Sequence, residues 1–223
     1  DLTNYPLIKV MAKKGKPIIL STGLSSLSEV DSVVDLIRAT NKIYFDPKFL
    51  SILQCTSVYP CPLNEVNLSV VEEYKRRYKT LVGYSHHAIQ YSPIYTAISM
   101  GVDMIEFHYT DRKHDNQFRD HLISIDASEF QKIKAFYDET LLLRGKPLKQ
   151  VTKTELSSEN CTSFRRSLFY RESHKKGHSL SEKDLECLRP GIGITPNNLA
   201  KYIGRTLTCS IEKGELLSDH HFK

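Results

Sequence analysis

What the chain lacks narrows its function before any motif is read. No apolar run approaches the roughly 20 residues that a membrane-spanning helix needs, and the start shows no secretory leader pattern, so a cytoplasmic protein that does not engage a membrane is expected. Disulfide chemistry is thinly supported. The five cysteines, Cys55, Cys61, Cys161, Cys187 and Cys209, are odd in number, irregularly spaced and free of any Cys-x-x-Cys pair. That pattern points to reduced thiols. No basic tract is present either: 31 Lys and Arg against 26 Asp and Glu leave a net charge of +5. This excess is too small and too scattered for a nucleic-acid footprint, but it suits small phosphorylated or carboxylated substrates. The chain opens on Asp1 rather than Met, as a processed product or part of a longer polypeptide would.

What is there reads as strands alternating with helices. An apolar content of 40% over 223 residues is enough for a sizeable core. Pro17 to Gly23 predicts a fully buried strand that ends in hydroxyls and a turn glycine. A helix follows with Ser28 as N-cap, Asp31 in its first turn, and Val30, Val33, Val34 and Ile37 on one face. Phe49 to Cys55 is the next apolar run, and Asn67 is placed to cap a helix with Val70, Val71 and Tyr74 inward and Arg76 and Arg77 at its C-terminal end. Then come a strand at Leu81 and Val82, a Ser92-Pro93 helix start with Ile94, Ala97 and Ile98 inward, and a strand at Met104 and Ile105. Asp126 and Glu129 form a capping pair for a last helix with a stripe of Phe130, Ile133, Tyr137 and Leu141.

Four strand-helix repeats predict an α/β fold with a parallel sheet. A complete eight-stranded (β/α) barrel takes roughly 250 residues, so residues 1–145 match the second half of one, unless the sheet is an open one of the flavodoxin kind. The polar stretch 146–162 reads as a linker. Residues 163–223 form a second unit of about 60 residues, marginal alone. In it Leu168 to Tyr170 is a strand, Lys175-Lys176-Gly177 a turn, and Ser181 the cap of a short helix containing Leu185. Thr195-Pro196 opens another short helix that ends at Gly204, Thr206 to Ile211 is a strand, and Lys213-Gly214 turns the chain behind it.

Two of the four predicted strands run out into histidine: Gly83-Tyr84-Ser85-His86-His87 and Ile105-Glu106-Phe107-His108-Tyr109-Thr110. Parallel neighbours would bring His87 and His108 to the same carboxyl-end rim, where two imidazoles can hold one Mn, Mg or Zn ion and leave positions open for water or substrate. His86 could take the place of His87. Ser21-Thr22-Gly23, Thr56-Ser57 and Ser85 repeat hydroxyls at three strand ends, a ready cradle for phosphate or carboxylate. Tyr59-Pro60-Cys61-Pro62 is a proline-bracketed loop that would hold Tyr59 over the rim. The charged loop Asp111 to His121 offers Asp120 as a substrate-binding carboxylate, and Arg189-Pro190-Gly191 sets an arginine beside a flexible loop. Taken singly, each of these residues also fits a structural role.

Several segments, in order along nearly the whole chain, resemble the sialic acid synthase family, which includes N-acetylneuraminate synthases and their legionaminate, pseudaminate and spore-coat relatives. They are Asp1-Leu-Thr-Asn-Tyr-Pro-Leu-Ile, Lys16-Pro-Ile-Ile-Leu-Ser-Thr-Gly, Cys55-Thr-Ser-Val-Tyr-Pro-x-Pro, Gly83-Tyr-Ser-x-His, Ile105-Glu-x-His-Tyr-Thr, Arg165-Arg-Ser-Leu and Arg189-Pro-Gly-x-Gly-Ile. The resemblance implies the second half of a (β/α)8 TIM barrel followed by a small type III antifreeze-like (SAF) domain. It implies condensation of phosphoenolpyruvate with an N-acylhexosamine such as N-acetylmannosamine to a nine-carbon 2-keto sugar acid, with release of phosphate. A divalent metal ion, Mn or Mg, would be held by His87 and His108. Ser21, Ser57 and Ser85 fall at phosphoenolpyruvate positions, Tyr59 and Asp120 at sugar-side positions, and Asp1 at an acidic position near the phosphate. Arg189 matches an arginine that crosses from one subunit's small domain into the other's barrel, which implies a swapped homodimer.

Two departures stand out. The family usually has Ser-Asp-His where this chain has Ser85-His86-His87, and Gly-Pro-Asp where it has Phe118-Arg119-Asp120. The family's first four strands, with a catalytic glutamate and two phosphate-binding lysines, precede the position of Asp1. The chain alone is therefore expected to be inactive, its partner wall lying in an upstream or separate segment. The competing expectation is a remnant or carbohydrate-binding module without catalysis.

Overall fold

Four short strands build the larger part of the molecule: the first alternates buried with exposed, the two central ones are buried almost throughout, and the last is partly exposed. The strands β1 (Ile18–Ser21), β2 (Leu50–Cys55), β3 (Leu81–His86) and β4 (Met104–Phe107) lie side by side in that order, all parallel. This computed structural model describes residues 1–113 and 119–222. The chain divides into two units, Asp1–Lys146 and Pro147–Lys223.

One face of the sheet is packed under helices. Ile18, Leu20, Leu50, Ile52 and Val82 meet α1 (Tyr5–Lys13), α2 (Leu27–Thr40) and α3 (Val70–Tyr78) in one apolar cluster. Tyr84, Ile105 and Phe107 meet α4 (Ser92–Ser99) and α5 (Ala127–Arg144) in a second. The opposite face carries Ser21, Leu53, Gly83 and Met104 in one row of paired positions and Cys55, Ser85 and Glu106 in the next. This face is concave, because the Ser21 hydroxyl on one edge strand reaches Glu106 Oε2 on the other at 3.2 Å. A parallel sheet curled until its edge strands meet across the hollow is the geometry of a partial (β/α) barrel. Gly83 is what the curl requires: a Cβ there would stand 2.3 Å from Leu53 Cδ2 and 2.5 Å from the Met104 carbonyl oxygen.

Several expectations need correction. The helix α2 starts earlier than the Ser28 reading, because Ser26 is the N-cap and Glu29 closes a reciprocal box with it. Asn67 does not cap α3. It sits in the left-handed region at φ 51°, and Ser69 precedes the helix without a side-chain cap. Arg77 does more than load a helix end, since its guanidinium grips the Asp31 carboxylate at 2.6 and 2.5 Å and ties α3 to α2. The strand β1 is not buried on both sides: Ile19 is 56% exposed, lying on the open concave face of an edge strand. Along α5 only Ile133 of the expected stripe is buried, while Phe130, Tyr137 and Leu141 stay exposed beside the free edge of β4. The helix α1 had no counterpart in the sequence reading, although Asn4 capping Leu7 N–H and Pro6 in its first turn are ordinary start signals.

The second unit is built on a two-stranded antiparallel ladder, β5 (Ser167–Tyr170) with β6 (Leu185–Leu188). The polar stretch before it is not wholly irregular, because Thr152 and Glu155 box-cap a short helix α6 (Lys153–Ser157), followed by α7 (Asn160–Ser163). Leu185 begins a strand instead of lying in the Ser181-capped turn, which is a 3-10 helix over Glu182–Asp184. The segment Thr206 to Ile211 forms isolated bridges, Ser179 with Thr206 and His174 with Ile211, in place of a strand. Leu168, Tyr170, Leu180, Leu207, Ile211 and Leu217 close a small core of their own.

Candidate active site

The concave face of the first unit ends in a rim of convergent polar side chains. Because side chains alternate along a strand, Ser85 and His87 leave β3 on the concave side, and Glu106 and His108 do so from β4. The rings of His87 and His108 are 5.5 Å apart between centroids. Tyr59 covers both, at 4.1 Å from the His87 ring and 5.8 Å from the His108 ring. Asp120 Oδ2 stands 3.9 Å from His108 Nδ1, so the expected sugar-side carboxylate shares the rim with the histidines. Positions 114–118 of the charged loop, Phe118 among them, lie outside the described residues.

The tautomer of His87 follows from its partner. Nδ1 lies 2.9 Å from the Thr56 carbonyl oxygen, and a carbonyl can only accept, so Nδ1 carries the hydrogen and Nε2 keeps its lone pair. A ring fixed in this way by a backbone carbonyl is oriented as metal-binding histidines are. Two imidazoles bound to one ion at about 2.1 Å each, with the ring centre roughly 1.1 Å further on, place their centroids about 5 to 6 Å apart. The observed 5.5 Å fits that spacing, so the pair fits a shared divalent cation.

His86 is excluded from this role. It alternates with His87 and in phase with Tyr84, so it points under the helices, is fully buried, and contacts the Tyr84 hydroxyl through Nδ1 at 3.2 Å. Its Nε2 has no partner in hydrogen-bonding geometry. Burial, reinforced by nearby His87 and opposed only in part by the Ala88 backbone, brings its pKa down to about 4.

Below the rim lies a residue that motif reading passed over. Glu106 Oε2 accepts from Ser85 Oγ at 2.7 Å and from Ser21 Oγ at 3.2 Å. The signal was available: in Met104-Ile105-Glu106-Phe107-His108 the carboxylate shares the phase of His108, so one residue facing the hollow implied the other. Ser57 sits at the end of β2, its hydroxyl 3.8 Å from Cys55 Sγ. Gly23 makes room for it, since a Cβ there would fall 1.9 Å from Ser57 Oγ. Thr22 and Thr56 turn away, Thr22 bonding the Leu53 carbonyl and the Tyr74 hydroxyl, and Thr56 the Glu65 carbonyl. The hydroxyls available to the hollow are thus the three serines.

Within the first unit one expected site residue is not gathered here. Asp1 is exposed at the turn into α1, its backbone carbonyl accepting from Asn4 N–H, and no contact among the described residues joins it to the rim. Arg189 belongs to the second unit, where its exposed guanidinium lies 5.3 Å over the Phe164 ring.

A half-barrel sheet whose strand ends converge histidines, a tyrosine and carboxylates above a floor of serines is a partial (β/α)-barrel architecture with a candidate site at its carboxyl-end rim. Comparison with known proteins makes the class specific. Residues 1–149 match the NeuB family and residues 165–223 the SAF domain, and the chain belongs to the NeuB family. It is 30% identical to an N,N'-diacetyllegionaminic acid synthase of Campylobacter jejuni, over 98% of this chain and 64% of that protein. A crystal structure of the N-acetylneuraminic acid (sialic acid) synthetase of Leptospira borgpetersenii in complex with citrate is 27% identical, with a TM-score of 0.63 over 70% of this chain and 52% of that one. A Chromobacterium violaceum protein described as spore coat polysaccharide biosynthesis protein E shares the fold, with a TM-score of 0.78 at 22% identity over 100% of this chain and 65% of that one. The chain thus spans just under two thirds of the length of the curated relatives it matches. Among the described residues no helix is long and apolar enough to cross a membrane.

Proposed function

We propose that this chain supplies the C-terminal wall of an active site that condenses phosphoenolpyruvate with an N-acylhexosamine and releases phosphate. The observation that carries the reading is the convergence of His87, His108, Tyr59 and Asp120 over Ser21, Ser85 and Glu106 at one end of a parallel sheet. Three serine hydroxyls facing the hollow suit the phosphate and carboxylate of a small dianion. Ser21 and Ser85 are held in place by donating to Glu106; to meet an anion their hydroxyls must turn from it, and the carboxylate charge opposes that anion. Tyr59 screens the histidines from water, and Asp120 accepts from sugar hydroxyls. His87 and His108 would hold a divalent ion, Mn or Mg, which when bound polarises an aldehyde oxygen toward attack by the enol carbon.

The concave face stays open between β1 and β4, which are both sheet edges. The opposite wall therefore comes from further polypeptide, upstream or separate, and Arg189 enters from the small domain of a second copy in a swapped homodimer. Mn(II) titration read by paramagnetic broadening of the histidine ring signals tests the metal role. His87 and His108 should broaden first, and His87→Ala or His108→Ala should each weaken that site at least tenfold. Loss of neither signal at millimolar Mn(II) would leave the carbohydrate-binding remnant as the better reading. The chain alone, given phosphoenolpyruvate, manganese and N-acetylmannosamine, should not turn over; measurable phosphate release would refute the need for a second wall.

A further inference from the structure

A second group of metal-ligating side chains lies in the other unit. His174 stands ahead of the Lys175–Gly177 turn, His178 just after it, and Asp184 at the end of the 3-10 helix, each offering a ligand atom within 4.8 Å of the others. We propose that His174, His178 and Asp184 form a zinc site that clips this turn to the body of the small unit.

Three observations support it. The Nε2 of His174 is shielded from solvent and has no hydrogen-bond partner, an orphaned polar atom that a metal would satisfy. It faces Asp184 Oδ1 at 3.8 Å. The carboxylate itself is held ready, because Oδ2 accepts from the Ser181 N–H at 2.7 Å and the Ser181 hydroxyl at 2.8 Å, leaving Oδ1 for the ion. The backbone under the cluster is fixed too: His174 exchanges both backbone hydrogen bonds with Ile211, and the His178 carbonyl accepts from Leu207 N–H.

Two imidazoles and one carboxylate select borderline cations, with zinc favoured over magnesium or calcium, which prefer all-oxygen shells. Ligand atoms around a tetrahedral zinc lie about 3.4 Å apart, so the cluster must tighten slightly. The His174 and His178 rings stack at 4.2 Å with 18° between their planes, which sets their lone pairs side by side instead of converging. His178, 37% exposed, is the ring free to swing. Its Nε2 now lies 2.9 Å from Asp184 Oδ2 and donates to it; on metal capture that proton moves to Nδ1, and Nε2 turns to the ion. Three protein ligands leave a fourth position for water.

The test uses the full chain carrying His87→Ala and His108→Ala, so that the rim contributes no binding. After chelator treatment, equilibrium dialysis against Zn(II) should give one equivalent bound, with the ring signals of His174 and His178 shifting together by NMR. Co(II) in place of zinc should give the intense visible bands of a tetrahedral site. Adding His178→Ala, a change at a partly exposed ring that leaves the core intact, should weaken binding by about 100-fold or more, and Asp184→Asn should do the same. If the histidine-free rim variant binds no zinc at micromolar concentrations, or binds it equally well with His178→Ala added, the site does not exist. Because the rim histidines are absent throughout, the outcome is independent of the proposed synthase chemistry.

Discussion

The buried His86 makes the chain sensitive to mild acid in a way that can be worked out in advance. An unfolded histidine takes its proton near pH 6.5, whereas the folded His86 does so only at about 4. Between these values the unfolded chain binds a proton that the folded chain refuses, so folding stability falls as pH drops from 6.5 to 4; above that window this group costs nothing, and below it the loss is complete and changes no further. At about 1.4 kcal/mol per pH unit the full loss is on the order of 3 kcal/mol, with about 2 to 3 already gone at pH 4.5. A marginally stable unit would feel that as a large fraction of its total.

The 12 tyrosines and absent tryptophan give no local optical probe, so the measurement is hydrogen exchange resolved by peptide, corrected for the pH dependence of intrinsic rates. Protection of the β3 peptide should decline between pH 6.5 and 4.5 in the native chain. In His86→Phe, which keeps a buried ring and removes the titration, the decline attributable to this site should vanish. Carboxylates that also lose native interactions in acid, such as Asp31 beside Arg77 and Glu129 beside Lys113, cancel in the difference between the two proteins. Parallel declines in native and variant chains, or an NMR titration of the His86 ring near 6.5, would refute the reasoning.

Other outcomes follow from the packing. Gly83→Ala forces a methyl against Leu53 and the Met104 carbonyl and should cost about 1 to 3 kcal/mol, read as a lower urea midpoint with the slope unchanged. Gly23→Ala should leave β1 intact but displace Ser57, so that on the proposed function phosphoenolpyruvate binding weakens while the urea midpoint moves little. Asp31→Asn breaks the partly exposed Arg77 pair and the Tyr78 hydroxyl contact at 2.8 Å; about 1 kcal/mol is expected, present at pH 7 and fading as the native Asp31, held below the usual carboxylate range by Arg77, is protonated in strong acid. Glu106→Gln should loosen Ser21 and Ser85 and, by removing a negative charge from the hollow, raise inorganic phosphate affinity measured by calorimetry; an unchanged affinity would refute the opposition.

The alternation of strands with helices was legible because its periodicities are set by local geometry: Val30, Val33, Val34 and Ile37 are all buried on α2, as a 3.6-residue repeat demands. His87 and His108 were legible for the same kind of reason, since both continue a strand whose phase is fixed by its buried partners. His86 was not, although the same phase governs it. Consecutive histidines look like one motif, while a strand sends them to opposite faces, one to Tyr59 and the other to the buried face beside Tyr84. What the sequence hides most completely is curvature. Nothing in the spacing of Ser21 and Glu106 tells that strands at opposite edges of a sheet touch across it. That contact depends on twist accumulated over β2 and β3 and on the missing Cβ of Gly83. The exposure of Ile19, Phe130 and Leu141 is hidden for a related reason. These residues carry apolar patterns written for a closed fold, and the pattern reports what each residue is suited to touch, not whether the touching surface lies within the same 223 residues. The open apolar faces at β1 and β4 and the polar site between them therefore belong together: on the proposed function, a segment that covers the edges would also complete the chemistry.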